Sequence, residues 1–320
     1  MKPSFYLLLA LAAQCAVADG LGPGRPGPIS PQAVSPDPAK LMEERIRAAV
    51  ASFQGTVSVF AKNIDTGKSF ELRADEPVRT ASTIKLPIMV AVFSAVEAGK
   101  ASWDEMLTLR EEDKVSGSGA IREFPGGTKL PLRGLMNLMI VVSDNTATNL
   151  LLDRFTADFV NAEMDKLGLR RTRSLRKVLG DRNDLKPVPT GFSKAGLIES
   201  NRRFDIGVST PREMGILLEK LAKGEVVSRE ASREMLEVLK RQQYKDGIGR
   251  RLPDAWVASK SGALDRLRSD VGIVETPGGR IVLAITVDDM PRTDYSPDNP
   301  GLLLISDLTG IIIDGLGRWK

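Results

Sequence analysis

The sequence predicts an α+β domain. One antiparallel sheet, flanked by helices in a three-layer αβα arrangement, is assembled from both ends of the chain around an inserted, mostly helical segment. Three observations lead there. β-type runs cluster towards the two ends, in "GTVSVFAKNIDTGKSFELRAD" (Gly55 to Asp75) and again between Ala255 and Val287. Between them, apolar residues recur at helical spacing. At 320 residues, 42% hydrophobic and 27% charged, the chain is large and apolar enough to bury a sizeable core.

Met1 to Ala18 has an early Lys2, an apolar run from Phe5 to Ala13 and small residues at Ala16 and Ala18, the pattern of a cleaved export signal. Two alternatives stay open: lipid attachment at Cys15, against which Gln14 argues, and an uncleaved anchor, for which the run is short. Residues 19–39 are dense in Pro and Gly and read as a linker. The fold is expected to occupy 40–320, with the sheet drawn from about 40–80 and 205–320 and the helical part from about 81–204. No later segment reads as a membrane span, and the expected location is secreted or periplasmic.

In order, helices are expected at Leu41–Ser52, Leu86–Ala98, Leu135–Val142, Thr146–Phe155, Ala157–Leu167 and Pro211–Lys223, the last capped by Ser209 or Thr210. Asp65-Thr66-Gly67 marks a hairpin. Strands are expected at Ala255–Lys260, Asp270–Thr276 and Arg280–Val287, the last two joined by Pro277-Gly278-Gly279. Gly301 to Leu316, interrupted by Asp307 and Asp314, suits a buried C-terminal helix.

The composition excludes whole classes of chemistry. There is no histidine, so no imidazole base, relay or metal ligand exists, and the single Cys15 leaves no Cys-Cys metal site or structural disulfide. No carboxylate loop suggests a metal, and no cofactor is expected. The net charge of +4 is mildly basic. The run Leu169 to Lys177, "LRRTRSLRK", lacks interleaved aromatics and reads as a solvated loop face rather than a nucleic-acid site.

Three short motifs remain as candidates. Ser82 and Lys85 lie three residues apart at a helix start, where an amine reaches a hydroxyl and the helix N-terminus faces a developing oxyanion. Serine needs a base, and lysine serves only if burial or neighbouring cations keep it neutral. The plainer reading is that Ser82 or Thr83 caps the helix and Lys85 is solvated. Ser143-Asp144-Asn145 falls between two helices, where Ser143 can relay a proton and Asn145 can orient an amide; a capping turn is the alternative. Lys260-Ser261-Gly262 ends an expected strand, where Lys260 and Ser261 suit a carboxylate and Gly262 lets an acyl group approach the backbone.

In this order, Ser82-Thr83-Ile84-Lys85, Ser143-Asp144-Asn145 and Lys260-Ser261-Gly262 resemble the motifs of the serine β-lactamases and penicillin-binding proteins, closest to class A. The likeness runs from about Lys40 to the C-terminus and includes Ile64 to Glu76, Gly117 to Ile140 and Ser209 to Leu221. It implies the β-lactamase/transpeptidase fold and a serine hydrolase acting on a β-lactam or a cell-wall peptide. Ser82 is then the nucleophile, Lys85 its base, Ser143 the proton shuttle and Asn145 a substrate-orienting amide. Lys260 and Ser261 bind a carboxylate, aided by Arg266 or Arg268, and the amides of Ser82 and Ala263 form the oxyanion hole.

One part of the pattern is missing. Class A enzymes deacylate with a glutamate in a Glu-x-x-Leu-Asn setting, and Leu169 to Ser209 contains none. Glu199 is the replacement candidate, ahead of Asp181 and Asp184, with a solvated loop carboxylate as the alternative. The expected activity is opening of a β-lactam ring through a Ser82 acyl-enzyme. Its alternatives are a D-alanyl-D-alanine peptidase and a sensor in which acylation is terminal.

Overall fold

The computed structural model describes residues 37–180 and 192–317. The segment read as an export signal and nearly all of the expected linker lie outside them. Helix α1 (Pro38–Ala51) begins on an Asp37 cap whose carboxylate accepts from the Ala39 amide, with Pro38 in the first position. Strands β1 (Thr56–Asn63) and β2 (Ser69–Leu72) follow, turning through Gly67 at φ 77° as the Asp-Thr-Gly signal requires. A short β3 (Val78–Arg79) leads into a 3₁₀ turn, Ala81–Ile84, and directly into α2 (Lys85–Glu97).

Strands β4 (Met106–Thr108) and β5 (Lys129–Pro131) pair as a ribbon before α3 (Leu132–Val141), α4 (Asn145–Phe155) and α5 (Ala157–Lys166). Then come β6 (Arg173–Ser174), β7 (Gly207–Ser209), α6 (Pro211–Lys223) and α7 (Arg229–Lys240). Thr210 caps α6 by accepting from the Glu213 amide, and Gly224 ends it at φ 74°, so the predicted bounds hold. The main-sheet strands β8 (Val257–Leu264), β9 (Leu267–Thr276) and β10 (Gly279–Asp288) precede α8 (Pro300–Leu316).

Five strands form the main sheet in the order β2-β1-β10-β9-β8, every pair antiparallel. Strand β1 pairs with β10, Val59 opposite Ile285, and this closes the two ends of the chain on each other. Alternation along β10 feeds two apolar layers. Ile281, Leu283, Ile285 and Val287 meet α1 and α8, while Val282 and Ala284 join the larger core built on α2, α3, α4 and α6. Helix α2 is apolar almost all round and lies buried from Lys85 to Phe93, as such a helix must. No helix among the described residues is long and apolar enough to cross a membrane.

Three expectations need correction. Strand β8 does not end at Lys260; it continues to Leu264, where it pairs with Leu267 across a two-residue turn, so Gly262 sits within the edge strand. Helix α7 was not foreseen, although Ser228 caps it and Ala231, Met235, Val238 and Leu239 repeat at helical spacing. Strands β3 to β7 are too short for alternation to announce them.

Asn63 joins the ends of the sheet. It has no exposed surface; its amide donates to the carbonyls of Gly278 and Leu316, 2.8 Å each, and its oxygen accepts from the Asp65 and Thr66 amides. Replacing it strands buried polar groups, so Asn63→Ala is expected to cost about 2–4 kcal/mol. Thermal unfolding should show a fall in Tm of roughly 5–10 °C.

Candidate active site

Ser82 is not a helix cap. Neither the 3₁₀ turn nor α2 takes a side-chain cap at its start. In a 3₁₀ turn, side chains three residues apart lie on one face, which places Ser82 and Lys85 on the same side of the turn. Ala81, beside it, is held at φ 47°, a left-handed conformation that costs a residue with a Cβ about 1–3 kcal/mol. Nor is Lys85 solvated: it has no exposed surface.

The Lys85 amine is lodged in the Ser143-Asp144-Asn145 turn. Nζ donates to the Ser143 carbonyl at 2.6 Å and to Asn145 Oδ1 at 2.8 Å, and it lies 3.1 Å from Ser143 Oγ. A neutral amine has two N–H donors and one lone pair. Two fixed carbonyl acceptors occupy the donors and leave the lone pair for a hydroxyl. Burial drives the Lys85 pKa well below the usual 10.5, the charge of Lys260 lowers it further, and Asp144 opposes both.

The turn itself is rigidly held. Ser143 takes φ 54°, which aims its carbonyl and hydroxyl at the same amine. Asp144 Oδ1 caps α4 through the Ala147 amide at 2.8 Å, while Oδ2 accepts from the Ala120 and Ile121 amides at 2.7 and 2.9 Å. The capping reading was thus right for Asp144, and this capping is what presents its two neighbours. Asn145 donates from Nδ2 to the Ser116 carbonyl at 3.0 Å, which fixes Oδ1 towards Lys85.

Strand β8 forms the opposite wall. Lys260 is fully buried, and its Nζ donates to the Ser261 carbonyl at 2.7 Å and lies 3.1 Å from Ser143 Oγ. Burial draws its pKa down to about 7 against the pull of Asp270. Gly262 packs on the backbone of the Ser82 turn: a Cβ there would stand 2.8 Å from the Thr80 carbonyl oxygen and 3.0 Å from the Ser82 amide nitrogen. Ser261 is half-buried and Ala263 exposed along the same strand.

Ser82, Lys85, Ser143, Asn145, Lys260 and Gly262 are therefore brought together. Three sequence candidates are not. Glu199 lies on a 3₁₀ segment with its side chain 78% exposed and paired with Arg202 at 3.0 Å. Arg268 is buried, its guanidinium donating to the carbonyls of Leu264, Leu267 and Asp294, which leaves little of it for a substrate. Arg266 is likewise turned to the carbonyls of Met290 and Asp289. Asp181 and Asp184 lie outside the described residues.

Sequence reasoning missed one residue beside the cluster. Asn149, one turn beyond Asn145 on α4, grips the backbone of Val178: Nδ2 donates to its carbonyl at 2.8 Å, and Oδ1 accepts from its amide at 2.9 Å. The i,i+4 spacing of the two asparagines was the available signal. Arg176, two residues before Val178, is ion-paired with Asp205.

The close fit at Gly262 is testable. Gly262→Ala should slow acylation of Ser82 by roughly 10–100-fold, as small misplacements of reacting groups do. Stopped-flow acylation rates, with Tm as the control for folding, read this directly.

The comparisons agree with the geometry. A solved β-lactamase from Sphaerobacter thermophilus is 32% identical, with a TM-score of 0.72, covering 85% of this chain and 95% of that one. A PBP-A variant, solved as its acyl-enzyme complex with penicillin G, is 25% identical, with a TM-score of 0.72, covering 88% of this chain and 97% of its own. A β-lactamase of Rhodobacter capsulatus is 23% identical over 244 residues, 76% of this chain and 78% of that protein. The model of the Beta-lactamase enzyme family matches residues 41–316, nearly all of the folded part, and the chain belongs to that family.

Proposed function

We propose that this family member opens β-lactam rings by acylation of Ser82 with Lys85 as base. The observation that carries this reading is the amine of Lys85, without exposed surface and seated on the Ser143 carbonyl and Asn145 Oδ1 with Ser143 Oγ 3.1 Å away, where burial favours its neutral form. Lys85 takes the Ser82 hydroxyl proton as Oγ attacks the ring carbonyl. The amides of Ser82 and Ala263 receive the oxyanion. Ser143, between the two lysines, passes a proton to the ring nitrogen as the C–N bond breaks, and water then hydrolyses the ester. Lys260 and Ser261 hold the substrate carboxylate, and Asn145 orients its amide. An exported protein meeting small β-lactams or cell-wall peptides fits this chemistry.

One observation favours a second reading, in which hydrolysis is slow and the protein behaves as a penicillin-binding peptidase or sensor. Among the described residues, the carboxylate whose charge reaches Lys85 is Asp144, and both its oxygens are engaged by backbone amides. The segment that Asn149 grips, one helical turn from Asn145, carries an apolar Val178 packed against the core, and we infer that it lies where a deacylating carboxylate is absent.

Mixing the protein with a small excess of penicillin, and following intact mass together with ring loss, separates the two readings. Ring loss far beyond one equivalent, abolished in Ser82→Ala, supports turnover. A lasting one-to-one adduct on Ser82 supports the slow reading, and neither adduct nor ring loss contradicts both. Whichever holds, Val178→Glu is expected to shorten the adduct lifetime by roughly tenfold or more. An unchanged lifetime would remove position 178 from deacylation.

A further inference from the structure

Ser143 Oγ stands 3.1 Å from two buried amines, those of Lys85 and Lys260. The chemistry above gives them opposite tasks: Lys85 must give up its proton to act as a base, and Lys260 must keep its own to hold a carboxylate. Both are lysines without exposed surface, so nothing intrinsic distinguishes them. The distinction has to come from the surroundings.

Behind the sheet lies a group that the mechanism does not use. Asp270 on β9 has no exposed surface. In the β8–β9 register it stands opposite Ser261, while Val271 stands opposite Lys260. Asp270 is therefore the diagonal neighbour of Lys260 and points to the other face. Its partner on β10, Ile285, belongs to the core under α8, whereas Val271 belongs to the core of the helical side. The Ile248 amide donates to Asp270 Oδ2 at 2.9 Å, and the Ser259 side chain and Val271 backbone also stabilise the carboxylate, yet no cationic side chain touches it among the described residues. A carboxylate so placed is costly to keep charged unless a cation repays it.

We propose that Asp270 is the buried countercharge that leaves the proton of this cluster on Lys260 rather than on Lys85. It is a positioning residue, acting through the sheet on groups that touch substrate, and the inference rests on the roles given to the two lysines. The electrostatics run the same way. Burial lifts Asp270 to about 7 against the Ile248 amide, the charge of Lys260 and hydrogen bonds from Ser259 and Val271, and Asp270 in turn supports the charge of Lys260. A charged Lys260 then lowers Lys85. One carboxylate thus sets both amines in opposite directions.

The neighbouring charges do not duplicate it. On the helical side, Asp144 is bound by three amides. On the face of Asp270, Arg268 is committed to three carbonyls, and Arg250 and Arg251 pair with Asp298 and with Asp307 of α8. In the segment covering Asp270, Lys245 is exposed and Asp246 half-buried.

The test is NMR of the resting protein carrying ¹³Cε-lysine, with Lys85 and Lys260 assigned through variants of each. In the wild type, Lys260 should hold its proton to higher pH than Lys85. In Asp270→Asn, whose amide oxygen can still accept from Ile248, the Lys260 midpoint should fall by at least one pH unit, about tenfold in proton affinity. At pH 7.5 the same variant should lose roughly tenfold in acylation by a penicillin while changing little with its methyl ester, which has no carboxylate to bind. A merely structural defect lowers both substrates alike. The proposal is overturned if Lys85 is the protonated amine in the wild type, if the Lys260 midpoint is unmoved in the variant, or if both substrates suffer equally. The wild-type titration decides the order of the lysines even if the variant does not fold, and it needs no β-lactam, so it stands apart from any failure of the ring-opening reading.

Discussion

Everything in this site depends on the burial of one amine. Lys85 opens α2, the helix around which the larger core is packed, so its side chain is enclosed by the same burial that builds the fold. A charged ammonium in such a place is expensive, whereas a neutral amine on two carbonyl acceptors is not. In the proposed reaction, this buried amine is the base of a chain without histidine. The left-handed residues at Ala81 and Ser143 belong to the same constraint, since they aim the nucleophile's turn and the acceptor's turn at each other.

The sheet brings the remaining parts to that amine. The pairing of β1 with β10 joins the chain ends, the order of the strands leaves β8 at the edge, and Gly262 lets that edge close onto the backbone of Ser82. The two walls then meet at Ser143 Oγ, shared by both lysines. Such an arrangement is useful only if the lysines differ in charge, and the buried Asp270 behind β8 is proposed to make them differ. Stability and catalysis are set here by the same buried polar groups.

Much of this was legible in the sequence. The start of α6 followed from Ser209-Thr210-Pro211, and the β1–β2 hairpin from Asp65-Thr66-Gly67, because these signals act locally. The three motifs named the cluster because their chemistry is carried by residue type and order. What could not be read depends on long-range packing. Arg268 and Glu199 have suitable side chains, but the fold turns one to backbone carbonyls and leaves the other in solvent. Asn149 and Asp270 matter through register and helix phase, which only the assembled sheet and α4 reveal.

The central claim, that a buried and uncharged Lys85 activates Ser82, is tested most directly by the rate of Ser82 acylation as a function of pH. Acylation needs the neutral amine, so a depressed pKa shifts the rising limb of the profile to lower pH. The account predicts that the rate stops rising well below 10.5, the ordinary lysine value, and falls again as Lys260 loses its proton. A rate that continues to climb through pH 10.5 would contradict it.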